Sequence, residues 1–502
     1  MAEPFKIVIG LEVHVQLLTK TKMFCGCLNK FGLPPNSATC PVCLGLPGSL
    51  PVMNTQAFHL ALKAALALNC QIANHPGQVK GFTKWDRKNY YYPDLPKNFQ
   101  TSQYDLPFSH DGHLEINVHP DPKKGYTPKK VGIIRAHLEE DAGKNIHDES
   151  GRGGETRVDL NRVGTPLLEI VSHPEMYNPE EAIAYLEEVR LMMRELGVSD
   201  CEMQEGSLRC DANVNIHVPM ASEAKGYAAT PLVEIKNLNS FRSVGRAISY
   251  EAKRQYEEFQ KNPAGYRIDK FLKTTAGWDD ARGKSEVQRH KEEAADYRYF
   301  PEPDLVPVIV SEAQIQQVQS EMGELPSAQR LRLQTQYGLT MSDAEMFTAK
   351  GRKTVAYLEA VTAITKDGKA AANRISDLIF PALTERREEI EEFPMTPAAF
   401  AEFVSKTASV NKQDRTDTFK IVLEKGVSVE EAKTLAGIKE MDESALRAAA
   451  VVAIAANPRA VADYKAGKDA AKMAIVGHVM KNNKGAANDV VRRLVDEELA
   501  KG

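Results

Sequence analysis

Two sets of side chains in this sequence are spaced to do chemistry. The first is Cys25-Gly-Cys27 followed, after twelve residues, by Cys40-Pro-Val-Cys43. Four thiolates at this spacing suit a tetrahedral Zn²⁺ site. The alternative is four reduced thiols in a loop. Gly26, Pro41 and the run Gly32-Leu-Pro-Pro-Asn-Ser suit a knuckle whose amides turn toward the sulfurs. Such a zinc would fix a loop and carry no catalysis. The second set is Glu12 and His14, two apart on one expected strand, so a carboxylate and an imidazole sit side by side. A strand expected over 131–138 ends in Glu139, Glu140 and Asp141. Carboxylates with one histidine and no thiol favour Mg²⁺ or Mn²⁺, ions that bridge phosphate oxygens in phosphoryl transfer. Alone, His14 reads as a structural histidine; beside Glu12 and the Glu139/Glu140 pair, a ligand role is favoured.

The segment Lys84-Trp-Asp-Arg-Lys-Asn-Tyr-Tyr-Tyr-Pro-Asp-Leu-Pro-Lys interleaves cations and aromatics. Rings stack on bases and cations meet phosphates, which suits a nucleotide or the 3′ end of a tRNA. A core role for Tyr90, Tyr91 and Tyr92 is equally open, since three consecutive side chains cannot all face one ligand. A phosphate-binding loop is absent: Gly277 and Gly283-Lys284-Ser285 are one residue too far apart, and no strand-forming run precedes them. The turn at Gly151-Arg-Gly-Gly-Glu reads as a hairpin loop. No serine-nucleophile stretch is present.

The elements that must position these groups are strands. Leu11, Val13, Val15 and Leu17 alternate with Glu12, His14 and Gln16; Leu208, Cys210, Ala212, Val214 and Ile216 alternate with Arg209, Asp211, Asn213 and Asn215. Residues 232–236 add Glu234 and Lys236, and residues 158–171 add Asp159, Asn161 and Glu169 around a Gly164-Thr-Pro turn. Each strand therefore has one apolar face and one face of carboxylates, amides and histidine. A sheet with one solvated side is the plain reading. Asp and Asn are depleted in strands, however, so their concentration points to a functional face.

Strand-like patterning runs to about Pro307 and helical patterning follows, with Ser311 to Gly323 and Val355 to Thr365 as clear examples. The prolines of Tyr299-Phe-Pro-Glu-Pro-Asp-Leu-Val-Pro mark the change. From about Lys433 the chain is Ala-rich, is punctuated by Gly437, Gly467 and Gly485, and ends in an amphipathic helix from Asn488. The expected fold class is α+β: a cradle domain with an antiparallel β-sheet over 1–308, an all-α domain over 309–432 and a small helical tail over 433–502.

Composition bounds the function classes. The 502 residues carry 64 Lys+Arg against 68 Asp+Glu and are 42% hydrophobic. This excludes a polybasic coat and a disordered chain. The longest apolar run, Ala448 to Ala456, is less than half of the ~20 residues a membrane span needs, and no secretory signal is legible. A soluble, cytoplasmic protein is expected, in keeping with an odd count of seven cysteines. Cys70, Cys201 and Cys210 read as buried structural residues. Between Pro458 and Arg493, eight Lys/Arg face three Asp/Glu, a modest basic surface.

Seven ordered motifs carry a family resemblance. Ile9-Gly-Leu-Glu-Val-His-Val, Asp86-Arg-Lys-Asn-Tyr-Tyr-Tyr-Pro-Asp, His137-Leu-Glu-Glu-Asp-Ala-Gly-Lys, Val158-Asp-Leu-Asn-Arg-Val-Gly-Thr-Pro-Leu-Leu-Glu-Ile-Val, Glu205-Gly-Ser-Leu-Arg-Cys-Asp-Ala-Asn, Glu234-Ile-Lys-Asn-Leu-Asn-Ser-Phe and Asp296-Tyr-Arg-Tyr-Phe-Pro-Glu-Pro-Asp resemble the B subunits of the aspartyl/glutamyl-tRNA amidotransferases. The resemblance implies ATP-dependent conversion of Glu-tRNA(Gln), and commonly Asp-tRNA(Asn), to the amide forms. The B subunit phosphorylates the side-chain carboxylate, and ammonia made from glutamine by the amidase, or A, subunit displaces the phosphate. A small C subunit completes a heterotrimer. By motif, Glu12, His14 and Glu140 correspond to divalent-metal positions; Glu139, Lys88 and Asp211 fall in the catalytic region; Arg87, Glu205, Asn213, Glu234 and Lys236 fall in the ATP- and substrate-binding region. Cys25, Cys27, Cys40 and Cys43 match the zinc-bearing branch of the family, and the last segment resembles its tRNA-binding tail.

Two competing readings remain. One is a non-catalytic tRNA-binding scaffold, against which the concentrated carboxylates speak. The other is the archaeal two-subunit relative, whose synthetase-like insertion this chain has no room for.

Overall fold

The computed structural model describes residues 4–118, 126–147, 155–270, 273–290, 297–408, 410–438, 443–483, 486 and 488–501. The Gly151 turn, Asp296 of the last motif and Gly485 lie outside them. The chain divides into two compact units, 1–329 and 330–502.

The first unit is built on one large sheet. Its principal strands are β1 (Lys6–Gln16), β2 (Asp86–Asn89), β3 (Phe99–Ser102), β4 (Ser109–Val118), β5 (Thr127–Glu140), β6 (Pro166–Ser172), β7 (Leu208–Pro219), β8 (Val233–Lys236), β9 (Thr274–Asp279), β10 (Lys284–His290) and β11 (Phe300–Pro301). They lie in the order β10-β9-β8-β7-β1-β6-β5-β3-β2-β11, with β4 on β5. The expected antiparallel sheet needs one correction, because β8 and β9 run parallel. The helix Phe241–Lys261 lies between them in sequence and returns the chain to the starting end, as a parallel pair requires.

Strand alternation holds as read. Leu11, Val13, Val15 and Leu17 of the β1 segment are at most 2% exposed, while Glu12, His14 and Gln16 on the other face are partly open. The apolar face packs into one core with Ala61 and Leu62 of the helix Thr55–Ala67, Tyr185 and Leu186 of Pro179–Glu195, and Val244 and Ile248 of Phe241–Lys261. These helices start at side-chain caps: Asn54 accepts from the Gln56 and Ala57 amides, Asn178 from Glu181, and Ser240 from Ser243. Cys70, Cys201 and Cys210 are buried in the same core.

Helix Glu312–Met322, with its Ser311/Gln314 capping box, contributes Val318 and Met322 to this core. The first unit thus extends past the prolines at 301–307. Two further sequence readings change. Asp159 and Asn161 leave the sheet face, because the chain after Glu140 forms a separate hairpin, Lys144–His147 with Thr156–Asp159. The segment 277–285 is the β9–β10 hairpin, so a strand does run through Gly277, and it leads into a tight turn with Gly283 at φ +63°.

The second unit is helical, with one apolar cluster around Phe347, Phe400, Phe403 and Phe419 and another around Ala450, Val479, Leu494 and Val495. Its last helix, Asn488–Lys501, matches the expected amphipathic end. Lys468, Lys472 and Arg493 of its basic stretch are held in ion pairs with Asp463, Asp496 and Glu443. No single helix among the described residues is long and apolar enough to cross a membrane.

Candidate active site

Strand register, more than sequence proximity, assembles the polar face. His137 on β5 stands opposite Glu169 on β6, Glu169 opposite His14 on β1, and His14 opposite Arg209 on β7. One row over, Arg135, Val171, Glu12 and Asp211 align in the same way. His14 Nε2 lies 3.4 Å from Glu169, 3.6 Å from Glu12 and 4.0 Å from Glu139. Two sets of ligand-type atoms, Glu12/His14/Asp211 and His14/Glu139/Glu169, are each within 4.8 Å of one another and share the imidazole. The donors are oxygens and one nitrogen, which fits Mg²⁺ or Mn²⁺.

Burial and mutual proximity shape the charges at this face. Burial and the neighbouring Glu169 push the Glu139 carboxyl up to about 7, and the same two causes raise Glu12. Burial would also raise Glu169, but His137 and His14 hold it well below the usual carboxylate range. Burial works against a charge on His14, but its hydrogen bond with Glu169 and the surrounding carboxylates lift it to about 9. His137 is pushed down to about 4 by burial. The raised Glu12 and Glu139 carboxyls reflect buried carboxylates crowded on one face.

Lys88 on β2 reaches this cluster. Burial opposes its charge, but Glu139, Tyr299, Glu169 and Tyr90 together outweigh burial and raise its pKa well above the ordinary value. Its Nζ lies 5.1 Å from the Tyr297 ring and 5.9 Å from Tyr90. Those rings belong to an aromatic wall: Tyr297 meets Tyr90 and Tyr299 at 6.0 Å, and Tyr299 stacks on Tyr104 at 4.2 Å. Of the three consecutive tyrosines, Tyr90 and Tyr92 meet edge to face while Tyr91 is 82% exposed. On the β7–β8 side, Lys236 pairs with Asp211 and, at 2.9 Å, with Glu234, to which Lys273 also comes within 3.5 Å. Asn213 stands opposite Glu234, its buried Oδ1 without a hydrogen-bond partner among the described residues.

Three expected site residues are not brought into this cluster. Glu140 projects to the other side of the sheet, where Oε1 accepts from Lys97 and from the Thr101 amide at 2.9 Å. Arg87 makes a bidentate pair with buried Glu302, both contacts at 2.7 Å, and lies over Phe99. Glu205 is exposed in the turn before β7. Conversely Glu169, visible in sequence only as one polar-face residue, is central; its alternation was legible, but its neighbours depend on strand pairing. Arg135, 3.7 Å from Glu169, and Arg209, 2.8 Å from Asp141, were not separable from solvated residues. Asp141 is spent on Arg209 and Gln16, and despite burial Arg209 and Arg162 hold its pKa low.

The four-cysteine cluster lies beside the sheet. Cys43 Sγ is 3.6 Å from Cys25, 3.7 Å from Cys40 and 3.9 Å from Cys27. A tetrahedron with metal–sulfur bonds of about 2.3 Å has edges of about 3.8 Å, so the donors fit a metal ion. A hydrogen bond from Cys25, with help from Lys22, outweighs burial and brings Cys43 down to about 5. Lys22 is fully buried, its Nζ 3.5 Å from Cys43 Sγ and 2.7 Å from the Ala38 carbonyl. Asp159 and Asn161 brace the loop before Cys40 through Asn36 and the Ala38 amide.

Comparison with known proteins identifies the family. Residues 7–316 match the GatB/GatE catalytic domain and residues 356–499 the GatB domain. The B subunit of the aspartyl/glutamyl-tRNA(Asn/Gln) amidotransferase of Rhodopirellula baltica is 46% identical over 500 residues, covering 99% of this chain and 97% of that relative. Those of Thermoanaerobacter sp. (strain X514) and Moorella thermoacetica are each 43% identical, covering 99% of this chain and their own full length. The chain belongs to the family of aspartyl/glutamyl-tRNA(Asn/Gln) amidotransferase B subunits.

Proposed function

We propose that the first unit uses ATP to activate the side-chain carboxylate of a glutamyl or aspartyl residue esterified to tRNA(Gln) or tRNA(Asn). The γ-phosphoryl group passes to a carboxylate oxygen, giving an acyl phosphate and ADP. Ammonia then attacks the carbonyl carbon and phosphate leaves, giving Gln-tRNA(Gln) or Asn-tRNA(Asn). The activation is chemically required, because a carboxylate would otherwise have to expel oxide. The observation that carries this reading is the convergence of Glu12, His14, Glu139, Glu169 and Asp211 on one sheet face.

Glu12, His14, Glu139 and Glu169, with Asp211, are the donors for Mg²⁺ or Mn²⁺, which would supply charge neutralisation at the phosphate oxygens. Lys88 stands where a second positive charge meets the same oxygens, and Arg135 holds Glu169 in place. The tyrosine wall offers faces for a base or for the terminal adenosine of tRNA. Arg209 and Gln16 fix Asp141 at the edge of the site. Cys25, Cys27, Cys40 and Cys43 hold structural Zn²⁺.

The reading includes an amidase (the A subunit) that releases ammonia from glutamine, a small C subunit that completes a heterotrimer, and a cytoplasmic setting. The absence of any serine-amidase stretch in this chain supports a separate glutaminase. ATP and glutamine consumption by the reconstituted complex, with each mischarged tRNA in turn, tests it. Coupled consumption with at least one of them is expected; ATP turnover unaffected by Glu12→Ala would overturn the kinase assignment.

A further inference from the structure

The end of β5 is gripped from the knuckle side along two routes. Gly45, in the left-handed conformation that closes the knuckle's short helix Pro41–Leu44, abuts Lys97: a Cβ there would lie 2.7 Å from Lys97 Cγ. The Lys97 Nζ lies 4.9 Å from the Phe99 ring and 5.9 Å from Phe24, the residue preceding Cys25. It ends on Glu140, whose carboxylate also takes the Thr101 amide and whose carbonyl takes Gln100 at 2.8 Å. The second route is backbone. The Met23 amide donates to the Gly164 carbonyl at 2.7 Å, and the Gly164 amide donates to the Asp141 carbonyl at 3.0 Å. Both routes converge on residues 140–141, beside the Glu139 carboxylate of the candidate metal cluster.

We propose that Glu140 and Lys97 form a latch through which the metal-loaded four-cysteine knuckle sets the position of Glu139. Glu140 is then a positioning residue and not a ligand. Its carboxylate and the Lys97 side chain are 4% and 9% exposed, so each needs the other, and losing one leaves a buried charge unpaired. Glu140 cannot turn toward His14 without reversing the strand's alternation at the last residue of β5. The inference rests on the reading that Glu12, His14, Glu139 and Glu169 bind a divalent cation.

Mn²⁺ binding to the zinc-loaded full chain, followed by electron paramagnetic resonance with zinc content measured in parallel, tests the latch. Lys97→Met should keep its zinc and bind Mn²⁺ roughly tenfold more weakly, within the range seen for groups that orient metal ligands. Lys97→Arg, which retains the cation, should recover most of the loss. Cys40→Ser should lose zinc and show the same weakening while circular dichroism shows the fold retained. Wild-type Mn²⁺ affinity in Lys97→Met and in Cys40→Ser would overturn the latch. So would abolished binding in Glu140→Gln with normal binding in Lys97→Met, the pattern of a direct ligand. No Mn²⁺ binding by the wild type would instead remove the underlying cation reading, and the latch with it.

Discussion

Glu139 and Glu140 are neighbours in the chain and serve opposite sides of the sheet: Glu139 faces His14 at 4.0 Å, whereas Glu140 is bound to Lys97 and the Thr101 amide. Two consecutive carboxylates on a strand cannot share one ligand. An acidic pair read as a unit is thereby divided into a residue of the candidate cation cluster and a residue of the scaffold behind it.

Glu169 takes the place in the cluster that the resemblance gave to Glu140. Glu169→Gln preserves shape and removes the charge that three strands converge on. In the reconstituted complex, tRNA-dependent ATP hydrolysis should fall by about 100-fold or more, the scale of losing one group that stabilises transition-state charge. Glutaminase activity of the proposed amidase partner, assayed without ATP, should be unaffected.

The knuckle should carry one metal equivalent. Elemental analysis of the purified chain should find about one zinc per molecule, and Cys40→Ser should lose most of it. The loss should also lower the melting temperature, because the loop over 25–43 has few apolar anchors besides buried Cys43 and Ala38. A stable, metal-free wild type would contradict the site.

Arg87 lies within a motif expected to contact substrate, yet its guanidinium is committed to Glu302. Glu302→Ala should therefore cost about 1.5–3 kcal/mol of stability, the scale of a lost hydrogen-bonded charge pair, with Glu302→Gln less harmful. Thermal melts measure this. The KM for ATP should change little in Glu302→Gln, which separates a scaffold role from a binding one.

Much of the fold was legible, and for one reason. Alternation along β1 and β7 gave the buried and open faces directly, since period two is a local property of a strand. The proline-marked change to helices was a local signal as well. What was not legible depends on pairing. No local feature says that Glu169 stands opposite His14, that β8 and β9 run parallel, or that Asp159 turns away to brace the knuckle. The commitment of Arg87 to Glu302 likewise joins residues 215 apart, which neither segment announces alone.

The β9–β10 hairpin is tied to the helix Phe241–Lys261 through Asp280, and this contact should respond to acid. Asp280 accepts from Trp278 Nε1 and from Ser243 Oγ, both at 2.8 Å, and pairs with Arg246. The hydrogen bond from Trp278 is the largest of the causes that bring its carboxyl down to about 2. A depressed carboxyl favours the docked hairpin above its unfolded value near 3.8, and that contribution disappears as pH falls through about 2. Trp278 is 6% exposed, and Trp85 is the one other tryptophan. In Trp85→Phe protein, Trp278 emission should shift to longer wavelength as pH drops below about 4. In the same background, Asp280→Ala should show the shift already at neutral pH, with no further acid transition of its own. An identical acid profile in both proteins would show that Asp280 does not hold the hairpin.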